Sequence, residues 1–368
     1  MEPALDLDGA RYPALWLRDN CPCRRCADPR SGQKLLSITD LPAEVAIAAV
    51  EAGDERIEVL FAPDGHQSVF TRAWLAAHRP GRGPAPDARA EDAKLLWQGA
   101  DQSDPPQGSW PRFQQDDAHR EWCLEALLRK GFVLLQRVPT ADRAVLEVAA
   151  GFGYVRRTNY GTLFEVRVQQ EAANLAFTSL PIRPHTDNPY RDPVPTIQLL
   201  HCLRNAAGGG DSGLVDGFHA AALLRSTAPE QFELLARIPV VFRYADAEAD
   251  LTATRPLIGL DPVGRIREVR FNNRSMQPLG LPADEADAYY RAYRRFAELL
   301  YRPEAQFALR LEPGDCLVFD NTRVLHSRTG FTAGGERHLQ GCYADLDGAA
   351  SNLAVLRRGR AAHRPAVG

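Results

Sequence analysis

A histidine and an aspartate two residues apart, His185 and Asp187, stand in the middle of the chain. On an extended segment, residues i and i+2 point to the same side, so the imidazole and the carboxylate converge on one point. His326 follows an apolar run at 316–319 and is the third candidate ligand. Two imidazoles and one carboxylate on one face are the donor set of non-haem iron(II) sites with open coordination positions. The spacing predicts an iron centre at His185, Asp187 and His326.

Arg337 lies at the start of the strand predicted after His326. A buried arginine needs an anionic partner, and the distal carboxylate of 2-oxoglutarate fits the planar guanidinium. Each signal also has an ordinary structural explanation. H-x-D pairs occur without a metal, His326 fits a core histidine, and Arg337 fits a structural ion pair.

Three cysteines, Cys21, Cys23 and Cys26, are spaced C-x-C-x2-C in a turn-rich stretch. Together with His66 they form the donor set of a tetrahedral Cys3His zinc site. The alternative is three unligated thiols. An iron–sulfur cluster is disfavoured because no fourth cysteine lies in this part of the sequence. A structural zinc would stabilise a small module that has little core of its own.

Composition excludes several classes of function. The chain has 368 residues, is 45% hydrophobic and 25% charged, and has a formal net charge of -3. This balance gives no reason to expect nucleic acid or an anionic membrane as a partner. The start of the sequence is acidic, unlike a signal peptide, and no apolar run approaches 18 residues. Four of the seven cysteines stand singly in apolar stretches, which favours a reducing compartment, and we expect the cytoplasm.

Proline and glycine are dense between residues 79 and 112. This density predicts an N-terminal zinc-binding module at 1–90, a connection at 91–111 and a body at 112–368. Strand-like runs in the body lack alternating βα units, so we expect a mainly β sandwich or barrel with flanking helices. The helices are predicted at 117–130, at 140–150 with Thr140 as N-cap, and at 283–301. In the first module the predicted strands are 12–17, 56–61 and 68–70.

Taken together, these motifs resemble the γ-butyrobetaine and trimethyllysine hydroxylases, within the wider taurine dioxygenase-like group. The resemblance covers nearly the whole chain. Its motifs are residues 15–23 (LWLRDNCPC), 185–187 (HTD), 198–202 (QLLHC), 209–212 (GGDS), 215–218 (VDGF) and 341–345 (GCYAD).

The resemblance implies a double-stranded β-helix, or jelly-roll, core and a dioxygenase that uses iron(II), 2-oxoglutarate and O2. It assigns the iron to His185, Asp187 and His326, and contacts with 2-oxoglutarate to Arg337 and Asn174. It also implies a structural zinc in the N-terminal module and a homodimer.

The family's butyrobetaine-type members hold a trimethylammonium group in an aromatic cage, where cation–π attraction replaces hydration. The matching positions here are Tyr160, Phe164, Phe177 and Tyr343. Phe164 and Phe177 stand where tryptophan and tyrosine are expected. Any one of these residues fits an ordinary core aromatic equally well, but four at matching positions favour a cage.

Asn188 replaces a bulky residue common in butyrobetaine hydroxylases, and Arg274 adds a cation. The two side chains offer more donors than one carboxylate needs and suit a phosphonate. This favours the 2-(trimethylamino)ethylphosphonate hydroxylase branch, although Arg274 also fits a surface arginine. The alternatives are a carnitine-forming γ-butyrobetaine hydroxylase, a taurine-type dioxygenase acting on another small acid, and a metal-binding β barrel without turnover.

Overall fold

The structure is a computed structural model that describes residues 2–81, 93–167, 180–331 and 336–362. The chain divides into two compact units, Met1–Ala85 and Pro86–Gly368. None of the helices in the described ranges combines a bilayer-spanning length with the apolar composition that a membrane crossing requires.

The first unit is built on two small antiparallel sheets, β1–β2 and β3–β4–β5. Its elements are β1 (Ala4–Leu7), β2 (Ala10–Pro13), α1 (Ala14–Asp19), β3 (Ala46–Ala52), β4 (Arg56–Ala62), β5 (Gln67–Thr71) and α2 (Arg72–Ala77). Alternate residues of β4, namely Ile57, Val59 and Phe61, are buried in a common apolar core. The alternation that predicts this strand therefore reflects one face packed on the core.

The predicted strand at 12–17 is wrong. Strand β2 ends at Pro13, and helix α1 begins at Ala14. In α1 the buried residues are Ala14, Leu17 and Arg18, which are spaced i, i+3 and i+4. This spacing is typical of a helix. The helix has only 6 residues, which are too few for the sequence to reveal a helical periodicity.

The second unit contains the remaining elements. They are β6 (Gln107–Ser109), α3 (Trp110–Gln115), α4 (Asp117–Lys130), β7 (Phe132–Gln136), α5 (Ala144–Phe152), β8 (Phe164–Val166), β9 (Ile182–His185), β10 (Ile197–Asn205), β11 (Ser212–Asp216), α6 (Gly217–Thr227), α7 (Pro229–Arg237), β12 (Val240–Ala245), β13 (Asp250–Arg255), β14 (Ile258–Leu260), β15 (Ile266–Val269), α8 (Ala283–Leu300), β16 (Gln306–Leu309), β17 (Cys316–Asp320), β18 (Val324–Arg328), β19 (Arg337–Ala344) and α9 (Leu346–Ala362).

Two sheets form the centre of this unit. One has six strands in the order β6-β7-β17-β10-β19-β8, and the other has four in the order β16-β11-β18-β9. Apolar residues from both sheets share one core cluster, which includes Phe132, Leu214 and Leu317. Helices α3, α4, α5 and α9 cover the outer face of the larger sheet. The predicted fold class, a mainly β jelly-roll core with flanking helices and a small N-terminal module, is confirmed.

Local capping explains where the helices begin and end. The Asp116 side chain accepts hydrogen bonds from the backbone of Ala118 and His119 at the start of α4, and Gly131 closes the helix with φ +88°. Helix α5 starts at Ala144, later than predicted, and Thr140 is not its N-cap. The preceding Arg143 has φ +67°, a turn conformation that a sequence pattern does not reveal.

Within 91–111, which the sequence predicts as an irregular connection, the structure contains regular elements. Strand β6 pairs in parallel with β7. Trp97 and Trp110 are buried in separate apolar clusters of the second unit. Much of this stretch is therefore part of the folded body.

Candidate functional site

Strand pairing brings the predicted metal ligands together. Strands β9 and β18 are antiparallel neighbours, and their register sets His185 directly opposite His326. Asp187 lies two residues beyond the end of β9. One ligand atom from each of the three residues lies within 4.8 Å of the others. His185 Nε2 is 3.3 Å from Asp187 Oδ1, and His326 Nε2 is 3.9 Å from Asp187 Oδ2. We call this cluster the triad.

Neighbouring side chains fix the orientation of the Asp187 carboxylate. Gln198 Nε2 donates to its Oδ2 at 2.9 Å, and the Tyr343 hydroxyl donates to the same oxygen at 3.2 Å. Asn321 holds the backbone, since its Oδ1 accepts from the Asp187 N–H at 2.8 Å and its Nδ2 donates to the Asp187 carbonyl at 2.9 Å. These contacts leave Oδ1 facing the His185 imidazole.

The imidazoles are set up as metal ligands. His185 Nδ1 lies 2.9 Å from the Arg183 carbonyl, so an N–H there donates to that oxygen, and Nε2 is the ring nitrogen that faces Asp187. Burial and the adjacent His185 lower the pKa of His326 to about 3, which keeps this ring neutral. Burial opposes ionisation of Asp187, but His185, His326 and Arg274 outweigh it and hold the pKa of Asp187 below its ordinary value. Two imidazoles beside a carboxylate fit a divalent cation such as iron(II).

The triad opens into a cavity of about 590 Å³. Other predicted site residues line the same cavity, namely Arg337, Tyr160, Phe164, Tyr343, Asn188 and Arg274. The remaining two, Asn174 and Phe177, lie outside the described residues. The cavity therefore brings together a metal site, cations and aromatic rings.

Two buried arginines line this cavity. Arg337 begins β19 and lies over the Phe331 ring, and its Nε is buried without a hydrogen-bond partner among the described residues. A Cβ at Gly210 would approach that Nε to 3.0 Å, so the glycine makes room for the guanidinium. Burial lowers the pKa of Arg337, and burial together with Arg337 lowers the pKa of Arg328 to about 10. Two buried guanidiniums, one of which lowers the pKa of the other, favour binding of an anion such as 2-oxoglutarate beside them.

Aromatic rings form one wall of the cavity. The Phe164 ring is 5.2 Å from Tyr343 and 6.4 Å from Tyr160, between ring centroids. Two further tyrosines that the sequence analysis missed extend the wall. Tyr244 stacks on Tyr190 at 5.1 Å and meets Tyr160 at 5.9 Å. No local pattern marks these two residues, because β12 brings Tyr244 in from a distant part of the chain.

Asn188 and Arg274 differ in their surroundings. Asn188 is 2% exposed and has φ +56°, in the left-handed region that asparagine tolerates better than most residues. Arg274 is exposed and lies on a turn, where its backbone N–H donates to Asn272 Oδ1 at 3.2 Å. Both line the cavity, so both are within reach of a bound ligand.

The first unit contains a second ligand cluster. The sulfur atoms of Cys21, Cys23 and Cys26 lie 3.2, 3.7 and 3.5 Å from His66 Nε2. All four donors fall within 4.8 Å of one another, as four ligands of a single tetrahedral ion do. Arg18 donates from Nη1 to Cys26 Sγ at 3.4 Å. Three sulfurs and one imidazole nitrogen fit zinc.

Comparison with known proteins gives the family. The family described as "Taurine catabolism dioxygenase TauD, TfdA family" matches residues 94–343, and "Gamma-butyrobetaine hydroxylase-like, N-terminal" matches residues 6–76. The chain belongs to the TauD, TfdA family. Its triad, its buried arginines and its jelly-roll core all lie within the matched region.

Similar proteins include several members of this family. A γ-butyrobetaine dioxygenase of Pseudomonas sp. (strain AK-1) is 40% identical over 94% of this chain and 90% of its own length. The human γ-butyrobetaine dioxygenase is 31% identical over 96% of this chain and 93% of its own length. A trimethyllysine dioxygenase of Meyerozyma guilliermondii is 30% identical over 95% of this chain and 92% of its own length. Among solved structures, a taurine dioxygenase from Burkholderia xenovorans is 20% identical, covers 59% of this chain and 78% of that chain, and has a TM-score of 0.45.

As a member of the TauD, TfdA family, the chain is an oxidoreductase, a dioxygenase dependent on iron(II) and 2-oxoglutarate that acts on a small molecule. The predicted enzyme class and cofactors are confirmed. The Cys3His cluster fits the predicted structural zinc.

Proposed function

We propose that this enzyme hydroxylates a small trimethylammonium zwitterion, and that γ-butyrobetaine is its substrate. The observation that carries the proposal is the aromatic wall of Tyr160, Phe164 and Tyr343 in the same cavity as the triad. A quaternary ammonium group has no N–H to donate, so aromatic faces are the natural way to bind it. The 40% identical relative named γ-butyrobetaine dioxygenase supports the same substrate.

The triad is the proposed iron site, with His185, Asp187 and His326 as ligands. When bound there, iron(II) with 2-oxoglutarate and O2 supplies an oxidant that converts a C–H to a C–OH, while 2-oxoglutarate becomes succinate and CO2. The protein's own residues hold these groups in place and orient them. Gln198 and Tyr343 fix the Asp187 carboxylate, and the apolar parts of the wall exclude water from the reacting centre.

Arg337 is the proposed partner of the distal carboxylate of 2-oxoglutarate, and Arg328 strengthens the positive potential beside it. The lowered pKa values of both guanidiniums support this, because a carboxylate would relieve an unfavourable pair of buried cations. The proposed contact of Asn174 with the same molecule lies outside the described residues.

The trimethylammonium cage is proposed to consist of Tyr160, Phe164 and Tyr343; the fourth predicted cage residue, Phe177, lies outside the described residues. Ring separations of 5.2 and 6.4 Å around Phe164 leave these rings as one continuous surface. Phenylalanine attracts a cation less strongly than tryptophan does. Phe164→Trp should therefore lower the Kd of a trimethylammonium ligand.

The anionic end of the substrate is less constrained. Asn188 and Arg274 predict a phosphonate, but the names of the similar proteins favour a carboxylate instead. We therefore keep 2-(trimethylamino)ethylphosphonate as the second candidate, supported by the two donors at the cavity wall.

Two structural proposals accompany this function. Zinc bound by Cys21, Cys23, Cys26 and His66 would stabilise the first unit. A homodimer, which the family resemblance implies, stays a prediction that light scattering after gel filtration would test.

Substrate-dependent succinate release tests the proposed function. Purified enzyme would be supplied with iron(II), 2-oxoglutarate and O2, then with γ-butyrobetaine, the phosphonate or taurine in separate reactions. We expect rapid succinate release with γ-butyrobetaine and a product heavier by one oxygen atom. Faster turnover of the phosphonate would favour the second candidate. Turnover of taurine, with none of either trimethylammonium compound, would contradict the cage.

A further inference from the structure

In the side-chain amide of Asn188, the oxygen has a hydrogen-bond partner and the nitrogen has none among the described residues. Its Oδ1 accepts a hydrogen bond from the Tyr190 hydroxyl at 2.9 Å. Its Nδ2 is buried at the cavity and has no hydrogen-bond partner among the described residues. The Tyr343 hydroxyl donates to the Asp187 carboxylate, and the adjacent Asn188 amide opposes the rise in the pKa of Tyr343, but the two side chains form no hydrogen bond of normal geometry. A buried, unpaired N–H₂ that faces a ligand cavity is a donor available to a ligand.

The Tyr190 hydroxyl is itself held by a second tyrosine. It lies 3.0 Å from the Tyr160 hydroxyl, so a chain runs from Tyr160 to Tyr190 to Asn188 Oδ1. Tyr190 is 7% exposed and packs in the apolar core of the second unit, with Tyr244 stacked on its ring. Burial, followed by Tyr160, raises the pKa of Tyr190, so its hydroxyl keeps the proton that it donates.

An asparagine amide can rotate by 180° and exchange its oxygen and nitrogen. In one orientation it presents N–H₂ to the cavity, and in the other it presents a carbonyl that repels an anion. A donor aimed at Oδ1 stabilises the first orientation. The choice between a cavity that attracts an anionic group at this point and one that rejects it therefore depends on the Tyr190 hydroxyl.

We propose that Tyr190 is a positioning residue that, through the Tyr160–Tyr190–Asn188 hydrogen-bond chain, aims Asn188 Nδ2 at the anionic group of the substrate. The inference rests on the proposed function, because it presumes a zwitterion whose cation lies on the aromatic wall. It adds that Tyr160, a wall residue, is linked by hydrogen bonds to the donor for the anion. Tyr190 thereby determines specificity without touching the reacting atoms.

The test uses Tyr190→Phe, which keeps the ring and removes the hydroxyl. Tyr289→Phe is the matched control, because Tyr289 is fully buried in the same core cluster and its hydroxyl has no partner among the described residues. Binding would be measured by anaerobic calorimetry on the iron- and 2-oxoglutarate-loaded enzyme. The ligands are γ-butyrobetaine and butyltrimethylammonium, which lacks the anionic group.

We expect Tyr190→Phe to raise the Kd of γ-butyrobetaine by about tenfold, which corresponds to about 1.4 kcal/mol. The Kd of butyltrimethylammonium should stay within about twofold, and Tyr289→Phe should change neither. In turnover, KM should rise more than kcat falls. Equal weakening of both ligands, or no weakening of either, would overturn the positioning role.

A second variant separates this role from a folding defect. Asn188→Ala removes the donor itself, so adding Tyr190→Phe to this variant should not raise the Kd of γ-butyrobetaine any further. Additive losses in the double variant would contradict the hydrogen-bond chain. Failure of the wild-type enzyme to bind or hydroxylate γ-butyrobetaine would overturn both the proposed function and this inference. Normal wild-type turnover with an unaffected Tyr190→Phe would overturn the inference alone.

Discussion

Replacing Arg337 by methionine tests the proposed 2-oxoglutarate site. Methionine fills much of the same volume but offers no donor and no charge. Arg337 is 7% exposed, its Nε has no hydrogen-bond partner among the described residues, and it lines the cavity that also contains the triad. Loss of one partner from a buried, hydrogen-bonded charge pair costs about 2–5 kcal/mol. At 1.4 kcal/mol for each tenfold change, the KM for 2-oxoglutarate should rise by roughly 30-fold or more.

The electrostatics of the cavity predict the stability of the same variant. Arg337 contributes to the lowered pKa of Arg328, so its removal relieves repulsion between two buried cations. Without ligand, Arg337→Met should therefore melt at or above the wild-type temperature. 2-Oxoglutarate with iron(II) should raise the Tm of the wild type and should not raise that of the variant at the same concentration.

The assay is succinate release at saturating substrate, with 2-oxoglutarate varied under otherwise constant conditions. Arg294→Met is the control, because Arg294 is 84% exposed and pairs with Glu298 on the surface of helix α8. Its KM for 2-oxoglutarate should stay unchanged. A KM for Arg337→Met within threefold of wild type would refute the assignment of Arg337.

Three further changes have distinct expected outcomes. Asp187→Ala should abolish succinate release while circular dichroism stays as in the wild type, because it removes a ligand rather than core volume; any remaining substrate-dependent turnover would count against the triad. Cys23→Ser should lower both the zinc content per chain and the Tm, since metal binding contributes folding free energy; unchanged zinc and Tm would show that Cys23 is not a ligand. Asp216→Asn should lower the free energy of unfolding by about 3–5 kcal/mol, because Asp216 and Arg323 form an ion pair with both side chains fully buried. Urea denaturation measures this loss, and a change below about 1 kcal/mol would contradict it.

The sequence predicts those parts of the site that are local in the chain. His185 and Asp187 share an extended segment, so their convergence follows from the period of a strand. Their meeting with His326 depends on the register of β9 against β18, which is set by packing across the sheet. A spacing of residues does not encode that register, so the sequence pointed to His326 only through the apolar run before it, and the family resemblance implied the same ligand.

The residues that sequence reasoning missed act through long-range contacts. Asn321, in the loop after β17, hydrogen-bonds to the Asp187 backbone, and Tyr244 of β12 lines the cavity. Neither contact leaves a periodic signal. Arg328 did leave one, because it lies two residues after His326 on the same strand and therefore on the same face. Tyr190 is three residues beyond Asp187, and only the fold shows that its hydroxyl reaches Asn188.

The errors in the predicted elements have a similar origin. Thr140 has the chemistry of an N-cap, but the chain forms a turn at Arg143 before α5 begins. The apolar run that contains Trp16 was assigned to a strand, although α1 buries residues at helical spacing. Both segments are short, and in short segments tertiary packing outweighs local preference.

We propose that His185, Asp187 and His326 together hold one iron ion. Anomalous scattering at the iron edge, measured on crystals grown anaerobically with iron(II) and 2-oxoglutarate, would locate the metal. We expect one strong iron peak between those three side chains, with 2-oxoglutarate in contact with Arg337. An iron peak at any other position, or none at the triad, would contradict it.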